Sequence, residues 1–174
     1  TFSNNSVTNT SDTASKNTAN GSVFALYAGS SINEINGNFT NNSISSTYVG
    51  IDSSTSKYTD DKSQVSAGGG AIHIEGQYNS GNGGPATIGI INGNFIGNSA
   101  TGDAYANGGA IYVKGGADKE GQEGFDAVIG QINGNFINNK VVALAANDMF
   151  SDSAYKKAST GGAISIKNAT PGVT

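Results

Sequence analysis

Apolar and polar residues alternate along a short motif that begins Gly-Gly-Ala-Ile and occurs at residues 69–76, 108–115 and 161–168. A degenerate copy at residues 20–29 aligns with it without gaps. One phase of the alternation begins with the aliphatic residues Ile72, Ile111 and Ile164. The opposite phase begins with His73, Tyr112 and Ser165. Such alternation with period two predicts a β-strand that buries one face.

A second motif, Ile-x-x-Ile-Asn-Gly-Asn-Phe-x-x-Asn, occupies residues 32–42, 88–98 and 129–139, and residues 2–5 match its end. Its aromatic positions are Phe2, Phe39, Phe95 and Phe136. Its terminal amides are Asn5, Asn42, Asn98 and Asn139. Ile32, Ile88 and Ile129 stand outside the period-two pattern, which predicts a bend between two short strands.

The two motifs alternate in strict order, but the distances between their copies are unequal. This combination indicates stacked repeat units joined by segments of variable length, as in a solenoid. We therefore expect a parallel β-helix of about four units in which equivalent residues lie over one another. Phenylalanines and isoleucines would form core ladders, and the terminal asparagines would form an amide ladder. The paired glycines, including Gly70, Gly109 and Gly162, suit a tight corner.

Asn-Gly pairs between apolar residues also favour β-hairpins, so an antiparallel sheet or a small propeller is the alternative fold. These pairs occur at residues 36–37, 92–93 and 133–134. A propeller would contain four strands per repeat at steady spacing, whereas about three short strands per unit are visible. The parallel stack is the preferred interpretation.

Alternating Gly-Gly-Ala-[Ile/Leu/Val] and Phe-x-x-Asn tetrapeptides resemble those of the polymorphic outer membrane proteins and related bacterial autotransporter passenger domains. The resemblance covers nearly the whole chain. It implies an all-β, right-handed parallel β-helix on the bacterial outer surface or secreted, with an adhesin- or antigen-like role. We expect residues 1–174 to form a single β-helix domain that belongs to a longer passenger, because Phe2 opens the chain inside a motif.

The composition and charge of the chain argue against several classes of function. The chain has no Cys and no Arg, and its net charge is −4. These features argue against a disulfide framework, a thiolate metal site and a nucleic-acid-binding surface. No apolar run is long enough to span a bilayer. We expect no cofactor and no transmembrane segment. The partners that we expect are glycans or proteins on host or neighbouring cells. We also expect the chain to be able to self-associate end to end.

Candidate catalytic groups are few, so we expect no enzymatic activity. His73 is the only histidine, and its place in the polar phase predicts a solvated surface residue. Glu75 is expected to form an exposed pair with Lys114, one copy later. Glu120, Glu123 and Asp126 form an acidic loop, which we interpret as solvated, with a cation site as the alternative. A carbohydrate-binding or carbohydrate-cleaving β-helix stays open as an alternative function, and cleavage would require Glu75, Asp103 and Asp126 to converge.

Recognition is expected in the variable segments, at residues 43–68, 77–87, 116–128 and 140–160. Tyrosines in Ser/Gly/Asn-rich loops are typical of adaptable binding surfaces, although incidental exposure is equally compatible with the pattern. The candidate binding tyrosines in and between these loops are Tyr48, Tyr58, Tyr78, Tyr105 and Tyr155. Residues 140–150 are predicted to form either a short helix on the stack or another strand.

Overall fold

Short strands make up the regular structure of the described residues. The computed structural model describes residues 1–11, 18–48, 51–52, 57–58, 66–76, 83–103, 105–116, 124–144 and 158–167. The first coil contains β1 (Phe2–Ser3), β2 (Ser6–Ser11), β3 (Thr18–Asn20), β4 (Phe24–Leu26) and β5 (Ser31–Asn36). The second contains β6 (Phe39–Thr40), β7 (Ser43–Tyr48), β8 (Ile51–Asp52), β9 (Lys57–Tyr58), β10 (Ser66–Gly68), β11 (Ile72–Glu75) and β12 (Ala86–Asn92).

The remaining strands repeat the same order. The third coil contains β13 (Phe95–Ile96), β14 (Ser99–Gly102), β15 (Tyr105–Asn107), β16 (Ile111–Lys114) and β17 (Ala127–Asn133). The fourth contains β18 (Phe136–Ile137), β19 (Lys140–Ala143), β20 (Ala158–Thr160) and β21 (Ile164–Lys167). In the part of the chain that is described, no helix has the length and hydropathy needed to cross a membrane.

Equivalent strands of successive coils pair in parallel and form five sheets along the stack. Sheet 1 contains β1, β6, β13 and β18; sheet 2 contains β2, β7, β14 and β19; sheet 3 contains β3, β10, β15 and β20; sheet 4 contains β4, β11, β16 and β21; sheet 5 contains β5, β12 and β17. The predicted parallel stacking is confirmed, and the described strands form four rungs. The hairpin alternative is wrong for the described residues, because their only antiparallel pair is β8 with β9, inserted in the second coil.

The phenylalanines stack inside the column. Phe95 pairs in register with Phe39 on one side and with Phe136 on the other. Its ring lies 4.6 Å from that of Phe39 and 4.8 Å from that of Phe136, centroid to centroid, and all three rings are nearly parallel. Phe2 continues the column below Phe39, at 4.9 Å. Phe39 and Phe95 are fully buried, because they have a coil on both sides.

The terminal asparagines form a directional amide ladder beside the phenylalanines. The side chain of Asn98 donates to Oδ1 of Asn139 at 2.9 Å and to the carbonyl of Phe39 at 3.0 Å. Its own Oδ1 accepts from the backbone and side-chain nitrogens of Asn42, each at 3.0 Å. Asn5 donates to Asn42 in the same way, so each rung satisfies its amides through the next.

Two predictions about strands need correction. The isoleucine spacing predicted a bend between two strands, but β5, β12 and β17 are continuous. The break in the period-two pattern lies inside the strand, at Gly89. Ile88 and Ile90 on either side of it have register partners in β5, but Gly89 has none. Ile88 and Ile91 are therefore both buried although they are three positions apart. Two of the variable segments, residues 43–68 and 140–160, also contribute a strand at each end, and these strands belong to sheets 2 and 3. Residues 140–143 are one of these strands, β19, and residues 145–150 lie outside the described part.

The glycine pairs form the corner between sheets 3 and 4. Gly108 has φ +59°, a left-handed conformation that favours glycine. The next residue, Gly109, lies so close to the following coil that an added Cβ would be 2.1 Å from the carbonyl oxygen of Gly162. Gly70 has the same relation to Gly109. Gly162 differs, because no described coil covers it and its nearest contact would be 3.7 Å away.

Candidate ligand-binding groove

The outward faces of sheets 3 and 4 meet along a concave groove of about 850 Å³ that follows the stacking direction, which we call the axial groove. Sheet 3 contributes Thr18, Ser66, Tyr105, Asn20, Gly68 and Asn107 to its lining. Sheet 4 contributes His73, Tyr112, Tyr27, Glu75, Lys114 and Lys167. These residues come from all four coils. The groove arises because the Gly-Gly corner turns the two outward faces towards each other.

His73 lies in the floor of this groove and is buried, so its predicted role as a solvated residue is wrong. Its relative exposure is 1%. The imidazole packs against Tyr27 and Tyr112, with ring centroids 5.4 and 5.2 Å away. The polar phase of the strand does face away from the core, as predicted. It faces a concave surface, however, and the neighbouring tyrosines cover the ring.

The absence of a side chain at Gly68 makes room for this aromatic cluster. The register partners of Gly68 in the coils below and above are Asn20 and Asn107. A Cβ at position 68 would lie 2.3 Å from the ring of Tyr112 and 3.3 Å from Nδ1 of His73. Tyr112 therefore covers the backbone of the second coil, and His73 lies beneath it.

Glu75 connects the buried histidine to a lysine of the next coil. Nε2 of His73 lies 3.1 Å from one carboxylate oxygen, and the ammonium of Lys114 donates to the other. The Glu75 side chain is 12% exposed, so the expected pair with Lys114 is present but its acid is largely buried. Burial alone would raise the pKa of Glu75, but the hydrogen bonds from His73 and Lys114 and the lysine's charge outweigh it and lower that pKa.

The second ring nitrogen of His73 is an orphan. Nδ1 is buried and has no hydrogen-bond partner in the described structure. An Nε2–H tautomer fits this arrangement, because Nε2–H then donates to the Glu75 carboxylate and only a lone pair is left in the apolar contact with Tyr112.

Two tyrosines of the groove, Tyr27 and Tyr112, have phenols whose pKa is raised. Burial and then the negative charge of Glu75 raise the pKa of Tyr112 to about 12. Burial also raises the pKa of Tyr27, and Glu75 adds to this, while a hydrogen bond from Asn20 at 2.7 Å opposes it. Both phenols are therefore neutral hydrogen-bonding groups at physiological pH.

The fourth-coil end of the groove is polar and carries hydroxyl and amide groups. Thr160 Oγ1 donates to Oδ1 of Asn107 at 2.6 Å and lies 2.8 Å from the hydroxyl of Ser165. Lys167 is exposed on β21 and pairs in register with Lys114. This end therefore carries two lysines on adjacent rungs, and Thr160 and Ser165 lie next to the lining residues Asn107 and Tyr112 as their register partners.

The structure brings few of the candidate binding residues to the axial groove. Of the five candidate binding tyrosines only Tyr105 lines the groove. Tyr48 and Tyr58 belong to β7 and β9, but their side chains lie outside the described part, as do Tyr78 and Tyr155 entirely. The groove residues that sequence reasoning missed share one signal, because they occupy aligned polar positions of the Gly-Gly-Ala-Ile copies: Tyr27, His73, Tyr112, Lys114 and Lys167.

The acidic residues do not converge. Glu75 lines the groove, whereas Asp103 is buried after β14 and Asp126 is exposed before β17. Glu120 and Glu123 lie outside the described residues. Within those residues, no group of three or more His, Asp or Glu side chains is placed to hold a metal ion.

Comparisons with protein-family models, with curated proteins and with solved structures found no match.

Proposed function

We propose that this chain is a segment of a right-handed β-helical passenger domain that a bacterium displays on its outer surface or secretes. In this role it is a non-catalytic spacer with an adhesin- or antigen-like surface. The observation that carries the proposal is the contrast between the two faces of each coil. The inward positions repeat from rung to rung as Phe, Ile and Asn, while an outward row of sheet 4 changes from coil to coil, as Ala25, His73, Tyr112 and Ser165. Such a scaffold keeps its shape while its surface varies.

A lack of catalysis agrees with the chemistry of the axial groove. Glycoside hydrolases typically use two carboxyl groups on either side of the scissile bond. Among the described lining residues Glu75 is the one carboxylate, and it is already engaged by His73 and Lys114. This arrangement favours binding over cleavage as the function of the groove.

Surface display can be tested with antibodies against the purified chain. Intact cells of the source organism should be labelled to the same extent before and after permeabilisation. An antibody against a cytoplasmic protein of the same cells is the control and should label only permeabilised cells. Labelling by the first antibody that appears only after permeabilisation would contradict the proposal. Turnover of a glycan or peptide by the purified chain would contradict its non-catalytic part.

Exposed apolar residues on the fourth coil favour self-association as a second candidate role. Ile166 is 64% exposed, whereas its register partner Val113 is buried, because no described coil covers the former. Ile137 and Leu144 of the same coil are also exposed. A second copy docking end to end would cover this surface. Light scattering should then show a mass that rises with concentration, and Ile166→Lys should abolish the rise; a constant monomer mass would exclude this role.

A further inference from the structure

We propose that the axial groove binds a short acidic oligosaccharide, with its carboxylate or sulfate at the fourth-coil end between Lys114 and Lys167. This proposal deepens the proposed function. The biological role of the binding rests on surface display, whereas the site itself does not. The juxtaposition of two lysines with buried tyrosine rings and amide groups in one groove carries it.

The charge of the groove differs in sign from that of the chain. Its described lining contains two lysines, Lys114 and Lys167, and one acid, Glu75, which gives a formal charge of +1 with His73 neutral. The whole chain has a net charge of −4. An anion is therefore repelled by the molecule as a whole and attracted locally, and this selects for a ligand that fits the groove.

The two ammonium groups are positioned to share one anionic group. Lys114 and Lys167 are direct register partners on neighbouring parallel strands, so their backbones lie about 4.8 Å apart. Glu75 engages the ammonium of Lys114 from the second-coil side, whereas Lys167 forms no ion pair within the described residues. Two lysine side chains that start one strand spacing apart can both reach one carboxylate or sulfate, which accepts from more than one donor.

The rest of the groove suits sugar rings. Four rungs extend over about 14 Å from first to last, which accommodates a short oligosaccharide laid along the stack. Tyr27 and Tyr105, which are half-buried, provide aromatic surface and phenolic hydroxyl groups. Asn20 and Asn107 provide amide groups, and Thr18 and Ser66 provide hydroxyl groups, for the ring hydroxyls. A site with aromatic surfaces and a few placed polar groups is typical of small-ligand recognition.

An acidic peptide is the competing ligand, and the groove fits it less well. Peptides that add to β-structures pair with an open strand edge. The central strands of the walls, β10 and β11 in the second coil and β15 and β16 in the third, are paired on both sides. The described lining also lacks a large aliphatic side chain that would form a pocket for an apolar residue.

Isothermal titration at low salt tests the proposal with four probes: trigalacturonate, a heparin tetrasaccharide, neutral maltotriose and a hexaglutamate peptide. We expect trigalacturonate or the heparin tetrasaccharide to bind at least tenfold more tightly than maltotriose and hexaglutamate. The two acidic sugars distinguish a carboxylate from a sulfate ligand. Affinity should fall as salt rises, because ammonium–anion contacts are screened.

Two matched lysine variants locate the site. Lys167→Gln should weaken binding of the acidic sugar at least fivefold, whereas Lys140→Gln, an exposed lysine of β19 outside the groove, should change it less than twofold. The proposal is overturned if neither acidic sugar binds more tightly than maltotriose, if hexaglutamate binds as tightly, or if both variants weaken binding equally. Failure of sugar binding with intact-cell labelling preserved would refute the groove alone. Sugar binding with labelling only after permeabilisation would refute surface display alone.

Discussion

Replacing Phe95 by alanine tests the stacked column at its centre. Phe95 is fully buried, and rings on both sides lie within 4.8 Å of its own. A Phe→Ala change in a core costs about 3–5 kcal/mol, and each aromatic pair contributes about 0.5–1.5 kcal/mol beyond its burial. Because two such pairs are lost at once, we expect the free energy of unfolding to fall by an amount in the upper part of the Phe→Ala range, about 4–5 kcal/mol.

Phe136→Ala is the matched control, because Phe136 has a ring neighbour on one side and is only partly buried. We expect it to cost about 2 kcal/mol, or roughly half as much. Equilibrium urea unfolding followed by circular dichroism measures both values, with unchanged m-values indicating the same transition. A cost below about 1.5 kcal/mol for Phe95→Ala, or equal costs for the two variants, would refute the stacked-column account.

The remaining predictions concern the amide ladder, the corner and the groove. Asn98→Asp should destabilise the fold by about 3 kcal/mol or more in the same unfolding assay, because a buried carboxylate would face acceptor oxygens in place of its two donated hydrogen bonds. Gly109→Ala should lower the melting temperature by several degrees, whereas Gly162→Ala should leave it nearly unchanged, since only the former Cβ meets backbone of the next coil. The raised pKa of Tyr112 stabilises the fold below pH 10, and the free energy of unfolding should lose this contribution as pH rises from 10 to about 12. Tyr112→Phe has no phenol to ionise at this position, so its free energy of unfolding should fall less over the same pH range. Because the pKa of Glu75 is lowered, its ionised carboxylate stabilises the fold above about pH 4.5, and this stabilisation is lost as pH falls below that value. In Glu75→Gln the free energy of unfolding should therefore decrease less steeply on acidification.

The interior of the stack was predictable because identical residues recur there and have one way to be buried together. Phe39, Phe95 and the asparagines beside them need a neighbour of the same kind directly above or below. The strands of sheets 2 and 3 were missed for the opposite reason. Their inward positions include small residues such as Ala67 and Ala100, which produce little alternation in the sequence.

The groove was not predictable from the polar phase alone. Period two separates residues that face the core from those that do not, and His73 falls correctly in the second class. Whether that second face is convex and solvated or concave and buried depends on the angle between neighbouring sheets. That angle is set at the Gly-Gly corner, and a side chain missing one strand earlier, at Gly68, lets Tyr112 cover the imidazole.

The same corner joins the stability of the stack to the shape of the groove. Gly70 and Gly109 hold neighbouring coils at a spacing that any side chain would widen, and both belong to the corner between the two walls. The walls, by contrast, are built from outward positions whose side chains add nothing to the inward ladder. Glu75 is followed by Lys114 and then by Lys167 on adjacent rungs of one wall, with the backbone register unchanged. The chemistry of the groove can therefore change from coil to coil, one outward residue at a time, while the glycines keep its shape.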